Sequence, residues 1–242
     1  MNDRQPSRKR SLATRALLKL WRLATDRSYR NMLWLVRRRP SGLFQPFYTT
    51  RADRYPVIFQ FVQTQLGADS DARILSFGCS TGEEVFSLRG YFPRAAIKGI
   101  DINAANIAVC RKRAARQNDG NLRFEVAGST AAEADATYDA IFCMAVLRHG
   151  GLGGATRCDH LLRFDDFAAT VADFSRCLKA GGLLVIRYSN FRLCDAPAGA
   201  GFDAILKVPL AGGRKSPIFG PDNRLLSGVD YPDTVFRKKL PQ

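Results

Sequence analysis

No apolar run in this sequence is long enough to span a membrane. Arginines interrupt every apolar stretch near the start, so a signal-peptide core is missing too. The same Arg-rich, acid-poor start leaves an organelle address open. None of the six cysteines forms a Cys-x-x-Cys pair. That excludes a disulfide frame as the organising device and points to reduced thiols in a cytosol. Cys158-Asp159-His160 has no second ligand pair, so no metal site is expected. No internal repeat is found, which excludes a solenoid or propeller. Acidic residues are scarce, 22 Asp and Glu against 37 Lys and Arg. The deficit is concentrated: residues 1–40 carry 12 Lys and Arg against Asp3 and Asp26. A basic arm of this kind can meet nucleic acid, an anionic membrane or an acidic partner.

What is present centres on Arg73 to Asp101. Ile74-Leu75-Ser76-Phe77 is short and apolar enough for a buried parallel strand. It breaks at Gly78-Cys79-Ser80-Thr81-Gly82, where Gly78 and Gly82 permit a sharp turn and a close ligand approach. Glu83 to Gly90 reads as a helix, and Ala96 to Ile100 as a second strand ending in Asp101. This is the first half of a nucleotide-type site. Asp101 lies about 20 residues past the turn, where a carboxylate can accept both hydroxyls of a ribose.

The turn is not Gly-x-Gly-x-x-Gly. Glu83 and Glu84 follow it at once, and two carboxylates at a helix N-terminus suit the helix dipole but repel a pyrophosphate. A nicotinamide dinucleotide is therefore disfavoured. A cationic ligand with a ribose fits better, and S-adenosyl-L-methionine carries a sulfonium and an ammonium. Here the residues resemble class I S-adenosylmethionine-dependent methyltransferases. "FGCSTGEE" looks especially like the first motif of the chemoreceptor glutamate methyltransferases, and "GIDIN" like their second. The resemblance runs from about Arg73 to Ser189. It implies an α/β, Rossmann-like class I methyltransferase sheet, mostly parallel, with seven strands and an antiparallel last strand. It also implies cofactor contacts from Gly78, Cys79, Ser80, Thr81, Gly82, Glu83, Asp101 and Ile102.

The later segments keep the same order. Asn103 is expected to cap a helix through about Gln117. Leu122 to Val126 reads as the third strand, with Ser129 just beyond it as the adenine contact. Tyr138 to Met144 is the fourth strand, with Asp139 at its start, and Met144 and Ala145 at its end join the cofactor set. The resemblance puts the transferable methyl group near Ala145 to His149. Gly150 to Gly154 reads as a flexible loop and a candidate lid. Phe164 to Lys179 is a predicted helix, stopped by Lys179-Ala180-Gly181-Gly182. Leu183 to Ile186 is the fifth strand, and "CLKAGGLLVI" resembles the family's "LKPGG" step. Phe202 to Val208 and Thr234 to Leu240 read as the closing strands. Gly220-Pro221-Asp222-Asn223 gives a turn between two short runs.

Methyl transfer from a sulfonium needs mainly proximity and alignment; a base is required only where the acceptor keeps its proton. His149 is the candidate base, because its ordinary pKa lies near working pH. Tyr55 is the second catalytic candidate. The resembling enzymes lean a helix over the cofactor just before the first strand, which also brings in Arg54. Arg148, Arg187, Tyr188 and Asn190 are candidates to hold an acidic or polar acceptor. No Asn/Asp-Pro-Pro-Tyr motif follows Met144, so methylation of a base or glutamine amino group gains no support.

Residues 1–46 read as a basic helical extension and 47–242 as the methyltransferase domain. Ser11 to Arg39 is predicted helical, with a broad apolar face between arginines and lysines; Met1 to Arg10 is expected to lack regular structure. An anionic membrane surface, met through residues 11–39, is the favoured special partner. Nucleic acid is weaker, and a helical cap packed on the domain is the plain alternative. Thr50 to Asp53 has capping-box spacing ahead of a helix ending near Leu66. The chain is expected to be cytoplasmic, peripheral at the inner face of a membrane if the arm docks there. The acceptor, small molecule or lipid, is not named by the sequence, nor is the oligomeric state. The competing reading is a non-catalytic cofactor-binding module that docks on membrane, RNA or protein.

Overall fold

The computed structural model describes residues 12–40, 42–47, 50–209 and 216–241. The first ten residues and Ser11 lie outside these. Seven strands form one sheet in the order β3-β2-β1-β4-β5-β7-β6. They are β1 (Arg73–Phe77), β2 (Ala96–Asp101), β3 (Leu122–Val126), β4 (Tyr138–Met144), β5 (Leu178–Arg187), β6 (Phe202–Lys207) and β7 (Asp233–Lys238). The first five are parallel, and β7 runs antiparallel to both β5 and β6. The expected closing pair is thus present.

Strand residues alternate between two apolar layers, as a period of two requires. Leu75, Phe77, Ile141, Cys143, Leu184 and Ile186 pack with Phe167, Val171 and Phe174 of α6 (Phe164–Cys177). Ile74, Phe142, Leu183 and Val185 pack with α3 (Pro56–Leu66), α4 (Glu83–Tyr91) and α5 (Ala104–Gln117). Both faces are covered, which explains why the strands read as continuous apolar runs. Chain order turns back between β1 and β4, and the carboxyl ends of those strands open a crevice there.

Four local expectations need correction. The N-terminal helix is two helices, α1 (Leu12–Thr25) and α2 (Arg27–Arg38), broken at Asp26. The Asp26 carboxylate accepts from Tyr29 N and starts α2 as its cap. Thr50 to Asp53 is not a capping box: α3 begins at Pro56 behind Tyr55, which makes no side-chain cap. Proline fits there because the first helical turn leaves its N–H groups unpaired anyway. Lys179 to Gly182 does not stop α6; the helix ends at Cys177 and these residues already belong to β5. Gly150–Leu152 forms a short 3-10 turn with Leu152 fully buried, which pins the glycine loop expected to be a lid.

The extension is tied to the domain. Met32 and Leu35 of α2 are buried, and so is Phe44, which joins the layer under α6. Asn31 Nδ2 donates to Asn103 Oδ1 at 2.7 Å, and Asn103 Nδ2 donates to Ser28 O at 3.2 Å. At α1 the situation reverses: Leu17, Leu20 and Trp21 are each more than 60% exposed. Among the described residues no helix is long and apolar enough to cross a membrane.

Candidate active site

The crevice is built from the carboxyl ends of β1, β2 and β4. After Phe77 the chain turns through Gly78, whose N–H, like that of Cys79, donates to Ile100 O. Gly78 has φ 73°, and a Cβ on it would stand 2.4 Å from Val146, so only glycine fits. Ser80 is also left-handed, at φ 53°. Its N–H donates to Asp101 Oδ2 at 2.8 Å, so the end of the bend is held by the carboxylate at the end of β2. Asp101 Oδ1 accepts from Asn103 N at 2.8 Å and from Asn106 Nδ2 at 3.4 Å. Burial raises the Asp101 pKa, and these hydrogen bonds oppose the rise. Each carboxylate oxygen can accept two hydrogen bonds, so Oδ1 is full and Oδ2 keeps one position, enough for one ribose hydroxyl.

Of the residues singled out in the sequence, Gly78, Cys79, Ser80, Asp101, Ile102, Met144, Ala145 and Tyr55 all line one cavity. Thr81 and Gly82 do not line it. Gly82 is instead the left-handed residue that starts α4. Glu83 points away and pairs with Arg113 at 2.7 Å. Its neighbour Glu84 lines the cavity in its place. Glu84 Oε1 accepts from Ser76 Oγ at 2.7 Å. The surface it keeps faces the cavity and protein surrounds the rest, so desolvation pushes its pKa up to about 7. Ser129 is exposed and outside the lining; Gly128 and Asn103 occupy that end. The extension supplies the remaining wall, including Gly42 and Gln45.

The two catalytic candidates fare differently. The Tyr55 hydroxyl is buried without a partner, and desolvation raises its pKa to about 12. It is therefore a proton-bearing donor at neutral pH, not a base. His149 lies outside the cavity lining. Its Nδ1 accepts from Gly151 N at 3.1 Å, and its own N–H donates to Asn190 Oδ1 at 2.7 Å. Burial lowers its pKa, so it stays neutral, as a cap on the 3-10 turn.

Asn190 is a structural bracket and not an acceptor ligand. Its Nδ2 donates to Pro217 O at 2.7 Å, its N–H to Leu147 O at 2.9 Å, and the residue is 1% exposed. Tyr188 lines a second, adjoining cavity. Arg148 sits with its guanidinium 5.6 Å from the Tyr188 ring centre. Cys158 and Asp159 are engaged elsewhere, with Asn223 and Arg157.

A parallel sheet with a reversed closing hairpin, a glycine bend and a carboxylate at its switch point defines a domain of the class I methyltransferase type. A family profile described as a methyltransferase domain matches residues 68–210. That is more than half of the sequence, and the chain belongs to this family. A malonyl-[acyl-carrier protein] O-methyltransferase of Bacillus anthracis is 36% identical over 81 residues, 34% of this chain and 29% of that enzyme. The solved YcgJ protein of Bacillus subtilis covers 78% of this chain and 100% of its own, at 13% identity and TM-score 0.50. Geranyl diphosphate C-methyltransferase from Streptomyces coelicolor A3(2), solved with S-adenosyl-L-homocysteine, matches 54% of this chain and 44% of its own. That match has 19% identity and a TM-score of 0.41. The chain thus spans 29% of the malonyl-[acyl-carrier protein] enzyme's length and 44% of the geranyl diphosphate enzyme's.

S-adenosyl-L-methionine is the cofactor of this family, and the residues present fit it. Three buried polar atoms on the cavity wall have no partner: Gln45 Oε1, Asn106 Oδ1 and Tyr55 OH. Buried polar groups are rarely left so unless a ligand completes them. Glu84 would offer negative charge to the ammonium and Asp101 an acceptor to a ribose hydroxyl. The cofactor brings an activated methyl; the chain supplies grip, alignment and exclusion of water.

Proposed function

We propose that this chain transfers the methyl group of S-adenosyl-L-methionine to a small-molecule or lipid acceptor. The observation that carries the reading is Glu84: a carboxylate tied to Ser76 inside the same cavity as Asp101, suited to the ammonium end of the cofactor. The anthrax relative, named as an O-methyltransferase, supports oxygen as the accepting atom. The narrower likeness to chemoreceptor methyltransferases rests on the FGCSTGEE and GIDIN motifs. Calorimetry with S-adenosyl-L-methionine and S-adenosyl-L-homocysteine, with tritiated methyl transfer to extract fractions, tests the proposal. Heat from both compounds and label in an acceptor pool are expected. Heat without label would make the chain a binding module, and no heat would remove the reading.

α1 favours a second element of the proposal, docking on an anionic membrane. Its period puts Leu17, Leu20, Trp21 and Ala24 opposite Lys19 and Arg22. On α2, Leu33 and Trp34 are exposed among arginines, and Arg38 stacks 4.7 Å from the Trp34 ring centre. Apolar residues rimmed by cations match acyl chains beneath phosphate headgroups. Phosphatidylglycerol vesicles should pellet the protein and phosphatidylcholine vesicles should not. Leu20→Glu with Trp21→Glu should abolish pelleting. Equal pelleting of the double variant would overturn the idea. So would wild-type dimerisation that the double variant loses, since the face would then bind a second copy.

A further inference from the structure

A second cavity, about 510 Å³, adjoins the first and shares Thr50, Arg51, Arg54 and Tyr55 with it. The two open off neighbouring strand ends: Met144 of β4 is paired with Arg187 of β5, and Ala145 N donates to Arg187 O at 2.7 Å. Arg51, Arg54 and Arg187 line the second cavity, and among the described residues no acidic one does. Arg187 is fixed in place by Pro209 O at 2.8 Å and by Val208 O, with 6% of it exposed. Its guanidinium lies 4.9 Å from the Tyr188 ring centre, and that of Arg148 lies on the same ring. Tyr188 is itself held left-handed at φ 57°, a conformation that tertiary context has to enforce. The rest of the wall is apolar, with Pro56, Val57, Ile58 and Val208. Positive charge on one side and hydrocarbon on the other suit an organic anion with an apolar stem.

We propose that this second cavity is the acceptor site and takes an aliphatic carboxylate, which is methylated on oxygen. The idea rests on the methyltransferase reading above. In the reaction one carboxylate oxygen gives its electron pair to the methyl carbon. The carbon–sulfur bond breaks, its electrons pass to sulfur, and the sulfonium becomes the neutral thioether. No proton moves, so no base is needed. The absence of His149 from both cavities and the proton-bearing state of Tyr55 agree with that economy.

The test supplies straight-chain mono- and dicarboxylates of increasing length with tritiated S-adenosyl-L-methionine, and treats the products with alkali. Methyl esters release volatile methanol; N- and C-methyl products do not. Base-labile label is expected on at least one chain length. Val57→Glu, on the wall of the second cavity alone, should raise the KM for that acid roughly tenfold while cofactor affinity by calorimetry stays within about threefold, as for one like charge set beside the acid. Val57→Gln, of similar length without the charge, should leave that KM within about threefold. Base-stable label in extract, with none on carboxylates, overturns the carboxylate site and leaves the methyltransferase reading standing. Alkyl phosphates that raise the melting temperature and compete with no carboxylate also overturn it. Absence of cofactor heat instead fails the parent reading.

Discussion

The Ser76 hydroxyl donates to the Glu84 carboxylate at 2.7 Å, across the bend that joins β1 to α4. Ser76 is fully buried in β1, and its hydroxyl reaches Glu84 at the start of α4. Desolvation outweighs both this hydroxyl and the positive charge of Arg54, so the pKa climbs to about 7. A ligand ammonium beside Glu84 would add a further positive charge and hold the carboxylate ionised.

Glu84→Gln should therefore weaken S-adenosyl-L-methionine binding roughly tenfold to a hundredfold, the range for a charge-assisted contact. S-adenosyl-L-homocysteine, which keeps the ammonium, should lose as much. Calorimetry on both compounds checks this, and equal affinity in the variant would sink the role given to Glu84.

The same group sets a pH dependence. Its folded pKa of about 7 lies above the ordinary 4.5, so the ligand-free fold holds the proton more tightly than the unfolded chain. That stabilisation is complete below about 4.5 and is lost as pH rises through about 7. Cofactor affinity should run the other way, rising with pH to a plateau above about 7. Glu84→Gln should flatten both curves. Melting scans and binding isotherms from pH 5 to about 8.5 test both signs.

Asp101→Asn should damage the bend and the ligand together. Its two oxygens accept from the N–H groups of Ser80 and Asn103, and an amide would turn an NH2 toward one of them. A loss of about 1–3 kcal/mol in chemical denaturation is expected, with cofactor heat abolished.

Gly42→Ala probes the wall contributed by the extension. A Cβ there would lie 2.2 Å from Gly128 O, and Gly42 has φ 82°. The strap must shift off the third-strand end, and cofactor affinity should fall while the sheet stays folded. Circular dichroism and calorimetry on one sample separate those effects.

His149→Ala should cost about 0.5–2 kcal/mol of stability, the range for a lost cap. Turnover should stay within about threefold of wild type. A kcat loss beyond a hundredfold would restore the catalytic role expected from sequence.

The sheet was readable because each strand is a short apolar run bounded by glycine, proline or polar turns, and both faces are buried. Half of the cofactor cavity was readable for a related reason: Gly78 to Ser80 and Asp101 are bound to one another by local geometry. Glu83 and Glu84 were not separable, since adjacent residues at a helix start differ only in direction. Gly82 settles it by turning left-handed, which aims Glu84 inward and Glu83 at Arg113. His149 and Asn190 read as functional because their partners are distant in sequence; Asn190 meets Pro217 and His149. The second cavity draws on residues 50–58, 187, 188 and 208, and no local pattern announces such a meeting. Asp26 did carry a legible signal, an N-cap residue inside an apparent helix, that breaks α1 from α2.

Asn103 touches both ends of the molecule's business. It hydrogen-bonds Ser28 and Asn31 on α2, and its own N–H holds Asp101. Whatever tugs on the arm is thus felt at the ribose carboxylate, and by reciprocity a filled cavity steadies the arm. Trimming the first forty residues as though they were a tag would slacken that tether, and a trimmed enzyme would understate its own grip on the methyl donor.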